Sequence, residues 1–333
     1  MLEASISRPT NRQTARGKNR EAFSDPNVLV RLREVELKPE NQEKLSKIKS
    51  EMSDNVSRRR WTIAIGVIAT IVSLSTLKTI GFFFVGVIWY VVRKMNRSKN
   101  NMNDVSYVDH FLLPVLNEVI PDAQIEYYGG IEEDVLCEVT PESSTYDTDC
   151  HIIFNDEYHC EFCNLYSHHT EEDSDNHSKE VTDFYGQVFI ARYETNLVGH
   201  VRILPTTKSM IFGKERHYGY EKVSKEETAI ETEDIRFNDK HNVYCTDELS
   251  TRTFLNPLML TVLDEWAEKM PVTVYVNSHL VAVSFYSHEI VLRSPRSKRE
   301  IENLSLSKEY ENVQRGLRDF YSLLDTMNEQ MQR

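Results

Sequence analysis

The sequence predicts an α+β protein: a two-helix transmembrane hairpin followed by a cytoplasmic domain of antiparallel sheet with flanking helices. Three observations carry this. Residues 61–92 form an apolar run broken only by Lys78 and bracketed by arginines and lysines. Strand-like segments further along are joined by short polar turns, without the regular βαβ alternation of a parallel sheet. Apolar residues at helical spacing mark segments before the run, after it and at the end of the chain.

Charge divides the chain in the same places. The net charge of the 333 residues is -13. Residues 1–60 carry 14 basic and 9 acidic residues, residues 61–100 carry 5 basic and none acidic, and residues 101–333 carry 20 basic and 43 acidic. A rear portion of that sign is repelled by phosphate backbones, which argues against nucleic acid as a partner. A hydrophobic content of 40% excludes a wholly disordered chain.

Residues 1–26 are polar and basic without periodicity, and read as a disordered tail lying near anionic lipid. Residues 27–57 read as a pre-membrane helical segment. Leu29 to Leu37 is stopped by Pro39, and Leu45, Ile48, Met52 and Val56 then form one helical stripe. Residues 58–95 are the predicted transmembrane hairpin. A single helix over 61–92 would be about 48 Å long, more than a bilayer core of about 30 Å needs. Two helices turning around Ser75–Gly81 place Lys78 at the far headgroup level and let Trp61 and Trp89 share one interface. Arg58, Arg59 and Arg60 precede the run, and Arg93, Lys94, Arg97 and Lys99 follow it. Basic flanks at both ends place both ends in the cytoplasm, which only an even number of spans allows.

Residues 103–292 read as the α+β domain. A helix over 107–120 has Asp104 as its cap, Pro114 as an interruption and Pro121 as its stop. A hairpin pairs 150–154 with 158–166. A polar loop spans 170–180, and further strands follow at 184–193, 200–204 and 242–246. Residues 213–234 read as loop with a weak helix. Asn256–Pro257 opens a helix with Leu255, Leu258, Met259, Val262, Leu263 and Trp266 on one face. A second hairpin pairs 272–276 with 280–286. The C-terminal helix, 300–330, repeats Tyr310, Val313, Leu317, Phe320, Leu324 and Met327 at spacings of three or four.

Candidate chemistry is sparse. Cys160-x-x-Cys163 with nearby His168 and His169 has the residue types of a zinc site. Residues i and i+3 of a strand point to opposite faces, however, so the structural reading of these cysteines is preferred and no metal is assigned. No hydrolase, phosphate-loop or kinase motif is present, so no catalytic residue and no cofactor is assigned.

Several segments resemble the bacterial domain-of-unknown-function 3137 family. An aromatic-Gly-x-Φ-Phe strand is matched by Tyr185, Gly186, Val188 and Phe189. An acidic residue before a Phe and a Val-Tyr strand is matched by Glu233, Asp234, Phe237, Val243 and Tyr244. A Leu-x-Pro-Leu-Met helix start is matched by Leu255, Pro257, Leu258 and Met259, and Tyr128 to Ile131 is similar to the start of the globular part. The likeness covers about 103–328. The family's Phe-Glu-Pro near the end is replaced by Ser294–Pro295–Arg296, and Cys160 and Cys163 lie outside its pattern. The resemblance implies a bacterial inner-membrane protein and supplies no catalytic residues.

The functional expectation is a membrane-anchored cytoplasmic interaction or ligand-sensing module, with the lipid bilayer and a protein as partners. Two alternatives stand beside it. One is a membrane-tethered metal-dependent hydrolase using Cys160, Cys163 and nearby histidines. The other is a scaffold that self-associates through helices 40–57 and 300–330.

Overall fold

The computed structural model describes residues 25–172, 178–208, 215–217, 225–268, 271–287 and 290–331, with only the backbone for a few, 77–81 among them. The basic tail, 1–26, lies almost wholly outside these residues. The architecture is α+β, and the chain divides into two compact units.

One unit comprises residues 26–118 and 292–313. Helix α1, Pro26–Leu37, buries Val28 and Leu32. Pro39 then stands at the first position of helix α2, Pro39–Tyr107, where its missing N–H costs nothing. A straight helix of 69 residues would measure about 100 Å. The side chains show a different path. Asn55 donates to Asn103 at 2.9 Å, Arg59 to Asn100 at 3.3 Å, and Lys99 to the Thr62 hydroxyl at 2.8 Å. A Cβ on Gly66 would meet Val92 at 2.9 Å. Residues far apart along one helix touch only if its two arms lie antiparallel, with the reversal near 77–81. The first arm buries Ile48, Met52 and Val56, the stripe expected from their spacing. Among the described residues, no helix is long and apolar enough to cross a membrane.

This pairing corrects one expectation. Lys99 bonds Thr62, so Trp61 lies level with the basic residues of the second arm and not with Trp89. The second apolar run is shorter than the first, which displaces the two tryptophans along the arms. Lys78 falls among the residues whose side chains are not described.

Asp104 does not cap a helix. It lies inside α2, 1% exposed, with a carboxylate oxygen 2.8 Å from the Arg296 guanidinium. The predicted interruption at Pro114 is a π-helical turn, Val108–Leu112, followed by helix α3, Leu113–Val119. Leu113 donates to the Val108 carbonyl, five residues back. The wider turn accommodates a proline that has no N–H for the carbonyl four residues before it.

The other unit comprises residues 119–291 and 314–333 and holds the sheet. Strands β1 (Gln124–Glu126), β2 (Thr145–Ile153), β3 (Glu161–Glu172) and β4 (Ser178–Arg192) are followed by β5 (His200–Lys208), β6 (Glu215–His217) and β7 (Thr228–Ile230). Then come β8 (His241–Cys245), β9 (Val272–Asn277) and β10 (Leu280–Tyr286). The order is β1-β2-β3-β4-β10-β9-β5-β8-β7, with β6 on β5, and the pairings are antiparallel. Of the predicted loop at 170–180, residues 173–177 lie outside the described residues, and the flanking 170–172 and 178–180 are paired strand. Thr170, Glu171 and Glu172 pair with Glu180, Lys179 and Ser178, beyond the last residues matched to β2 and β10. The high polarity there marks exposure and not loss of strand.

Alternation along the strands makes two packed faces. Cys163, Leu165, Val188, Ile190 and Ala282 pack under Leu136 and Val139 of helix α4, Glu133–Val139. Phe162, Phe189 and Phe285 point the other way. Phe189 stacks on Phe320 at 4.5 Å, and Trp266 lies against Phe285 at 5.3 Å. Those partners come from helix α7 (Pro257–Ala267) and helix α9 (Leu306–Met331). Helices α5 (Ile235–Lys240), α6 (Glu248–Phe254) and the five-residue α8 (Lys298–Glu302) complete the described elements. The predicted helix 300–330 is thus two helices. In α7 the buried residues are Met259, Leu260, Leu263 and Trp266, while Leu258 faces out.

Candidate functional site

Residues 230–261 fold around a groove of about 840 Å³. Two side-chain caps shape its lips. Asp234 accepts the backbone N–H groups of Arg236 and Phe237 and starts α5. Asn256 accepts those of Leu258 and Met259, with Pro257 behind it, and starts α7. The approach to α5 is tied by Asn238, which accepts the Thr232 N–H and donates to the Thr232 carbonyl, both at 2.9 Å. Arg252 on α6 reaches the Glu231 carbonyl at 3.1 Å and Glu248 at 2.8 Å. These bonds fix both walls before anything binds.

Leu255 and Leu260 supply apolar lining, with Ile230 beside them. At the rim Ile235 is 76% exposed, and the Arg236 side chain is 89% exposed with only a 3.9 Å approach to Asp234. The groove offers an apolar floor and a guanidinium able to turn toward a ligand. Among the described residues, its lining pairs this apolar floor with the Arg236 guanidinium at the rim. Glu233, Asp234, Leu255 and Pro257, which carry the family resemblance, all line it. The sequence held this signal, but as a motif string; the shared groove depends on α5 and α7 folding side by side.

A second polar centre was not legible in the sequence. On β5, Arg202 is cross-strand neighbour to Tyr244 and Tyr275. Its guanidinium pairs closely with Glu227, whose side chain is 1% exposed, and lies 3.6 Å from Glu138. His200 shares the Glu227 carboxylate at 2.8 Å. The cluster pins the segment before β7 to the sheet.

The predicted metal candidates are not brought together. Cys163 sits in the core under α4, where burial pushes its thiol up to about 12. Cys160 faces the other side, against Asp156 and Tyr321, and burial raises it well above the ordinary thiol range. His169 pairs with Asp183 at 2.7 Å, and these hydrogen bonds, to Asp183 and then Glu171, raise its pKa. His168 lies instead 3.8 Å from Glu180 and 3.9 Å from Asp147. Buried protonated thiols on opposite faces are poor zinc ligands and poor nucleophiles. Among the described residues no group of three or more His, Cys, Asp or Glu could hold a metal ion. In the helical segments 40–57 and 300–330, Ile48, Met52, Val56, Tyr310, Val313, Leu317 and Phe320 are buried within the chain.

A search of the curated proteins finds no match. Among solved structures, the crystal structure of the mycobacterial trehalose monomycolate transport factor A, TtfA, aligns at 11% identity with a TM-score of 0.32, covering 61% of this chain and 86% of that chain. At that score too little geometry is shared for anything to be transferred. The family described as protein of unknown function (DUF3137) matches residues 182–329, a stretch that contains the groove and most of the sheet. Over residues 182–329 the chain is similar to the DUF3137 family.

Proposed function

We propose that the protein is a membrane-anchored interaction module: the antiparallel arms of α2 form a transmembrane hairpin, and the groove of the cytoplasmic sheet unit takes a peptide segment of a protein partner. One observation carries the anchor. Trp61, Ile65, Ile68 and Ile71 on one arm, and Phe82, Phe83, Trp89 and Tyr90 on the other, are all exposed. An apolar belt of that extent in water is rare and marks a contact with lipid or protein. Basic residues border it on both arms, and Arg93 and Lys94 can extend to headgroups along their aliphatic stems. The uncharged runs of 17 and 14 residues are about 26 and 21 Å long, short of the bilayer core, so local thinning accompanies insertion.

Topology is read with cysteine labelling. Cys245 is buried and unsuited to this, whereas Cys137 is exposed. Cys137 is expected to react with an impermeant maleimide only after permeabilisation, and a Lys78→Cys variant to react from outside in intact cells. Labelling of Cys137 in intact cells would reverse the topology. Failure to sediment with membranes, or release by alkaline carbonate, would remove the anchor altogether.

The groove's occupant is read as a short segment with an apolar side chain beside a carboxylate, the first for Leu255 and Leu260, the second for Arg236. Selection from a random peptide library against the full chain in neutral detergent is expected to enrich that pattern. Ile235→Glu is expected to weaken the selected peptide about tenfold or more, the scale of replacing one aliphatic side chain at an interface by a charge. A library that yields no pattern sensitive to Ile235 argues against a peptide groove.

A further inference from the structure

We infer that a cleft at Arg293–Asn312, separate from the groove, binds a phosphate-bearing group. The sequence stands out first. Residues 101–333 hold 20 basic residues, and four of them, Arg293, Arg296, Lys298 and Arg299, fall within seven positions of an otherwise strongly acidic stretch. The fold then gathers Arg293, Arg296, Arg299 and Lys308 around a cleft of about 420 Å³.

Each carboxylate at the cleft is already committed. Asp104 faces Arg296 at 2.8 Å and fixes one wall. Glu300 accepts the backbone N–H groups of Arg296 at 2.7 Å and Ser297 at 3.3 Å, so it fills the start of α8 itself. Glu309 accepts the Tyr107 hydroxyl at 2.7 Å, and burial raises its pKa. Arg293, Arg299 and Lys308 are exposed and, among the described residues, make no ion pair within 4.0 Å, although Arg293 acts electrostatically on Glu300 and Lys308 on Glu309. Like charges held around one cleft repel, and an anion among them reduces that repulsion while accepting several charge-assisted hydrogen bonds. Asn303 adds an amide to the lining. The chemistry is that of a phosphate monoester or diester; planar guanidinium groups suit its oxygens in pairs.

Two sources present that chemistry. Asp104 is ten residues beyond Lys94 on the same helical arm, about 15 Å along the axis. A lipid headgroup is therefore one source, and a soluble phosphate compound the other. The site itself does not rest on the membrane anchor; only the lipid source does.

The test uses the full chain in neutral detergent, at constant ionic strength set with chloride. Binding of inorganic phosphate, dioctanoyl phosphatidylglycerol and dioctanoyl phosphatidylcholine is measured by calorimetry and by the shift in thermal midpoint. At least one of the first two is expected to bind and to raise the midpoint. Arg293→Gln/Arg299→Gln is expected to weaken that binding about tenfold to a hundredfold, the scale of charge-assisted hydrogen bonds, while Lys225→Gln leaves it unchanged. Binding of phosphatidylglycerol without phosphate assigns the lipid source, and binding of phosphate alone assigns the soluble one. Absence of binding by both, or binding that survives the double substitution in a chain with wild-type circular dichroism, overturns the site. Loss of the anchor leaves the phosphate measurement intact, so the two proposals fail separately.

Discussion

Glu227→Ala is expected to destabilise the sheet unit by about 3–5 kcal/mol, because it strands a buried guanidinium. Arg202 sits between two tyrosines on the sheet face under α4, and Glu227 is its closest carboxylate. Glu138, at 3.6 Å and partly exposed, is a weak substitute. His200 loses its partner too. The double substitution Arg202→Met/Glu227→Leu is expected to recover most of the loss, since a buried pair replaced as a unit by apolar groups is often neutral. Urea unfolding followed by circular dichroism of the full chain in detergent checks both. A loss under about 1 kcal/mol for Glu227→Ala would show the pair to be solvated, as surface pairs are.

Gly186→Ala is the second large effect, expected at about 3 kcal/mol or more, the upper range for overpacking a tight core. Gly186 pairs with Leu165 on one side and Tyr286 on the other, in the middle of the sheet. A Cβ there would sit inside contact distance of the Phe285 carbonyl oxygen, with the Phe184 ring close behind at 3.1 Å. A backbone oxygen in a ladder between two strands cannot swing aside, so β4 and β10 must separate. The same position carries the glycine of the aromatic-Gly-x-Φ-Phe motif, and this close approach is its physical reason. A thermal midpoint unchanged by Gly186→Ala would show that the ladder relaxes.

Much of this was legible in the sequence where the signal is local. The spacing of Ile48, Met52 and Val56 identified a buried stripe, and Asn256–Pro257 identified a helix start, with Asn256 as the cap and Pro257 as the first helical residue. The hairpin read from 272–276 and 280–286 is the antiparallel β9–β10 pair. Cys160 lies just before β3, against Asp156 and Tyr321, and Cys163 lies in the core under α4. The failures are nonlocal. Asp104 has the residue type of a cap, and only the arrival of Arg296 from far along the chain makes it a buried ion-pair partner. Leu258 is apolar, yet it faces out while Leu260 is buried, because the sheet beneath α7 and not hydropathy decides which face is covered. The groove needs two segments about twenty residues apart to fold as neighbouring capped helices. The basic cleft needs α8 and the first turns of α9 to bring Arg293 and Lys308 to one place.

The protruding β3–β4 ribbon has a consequence for how copies of the chain behave when crowded. Open strand edges invite pairing with another molecule, which is how native sheets begin to aggregate. Here the stretch that extends beyond β2 and β10 carries Glu171, Glu172 and Glu180. Two such ribbons approaching edge to edge would set rows of carboxylates against each other.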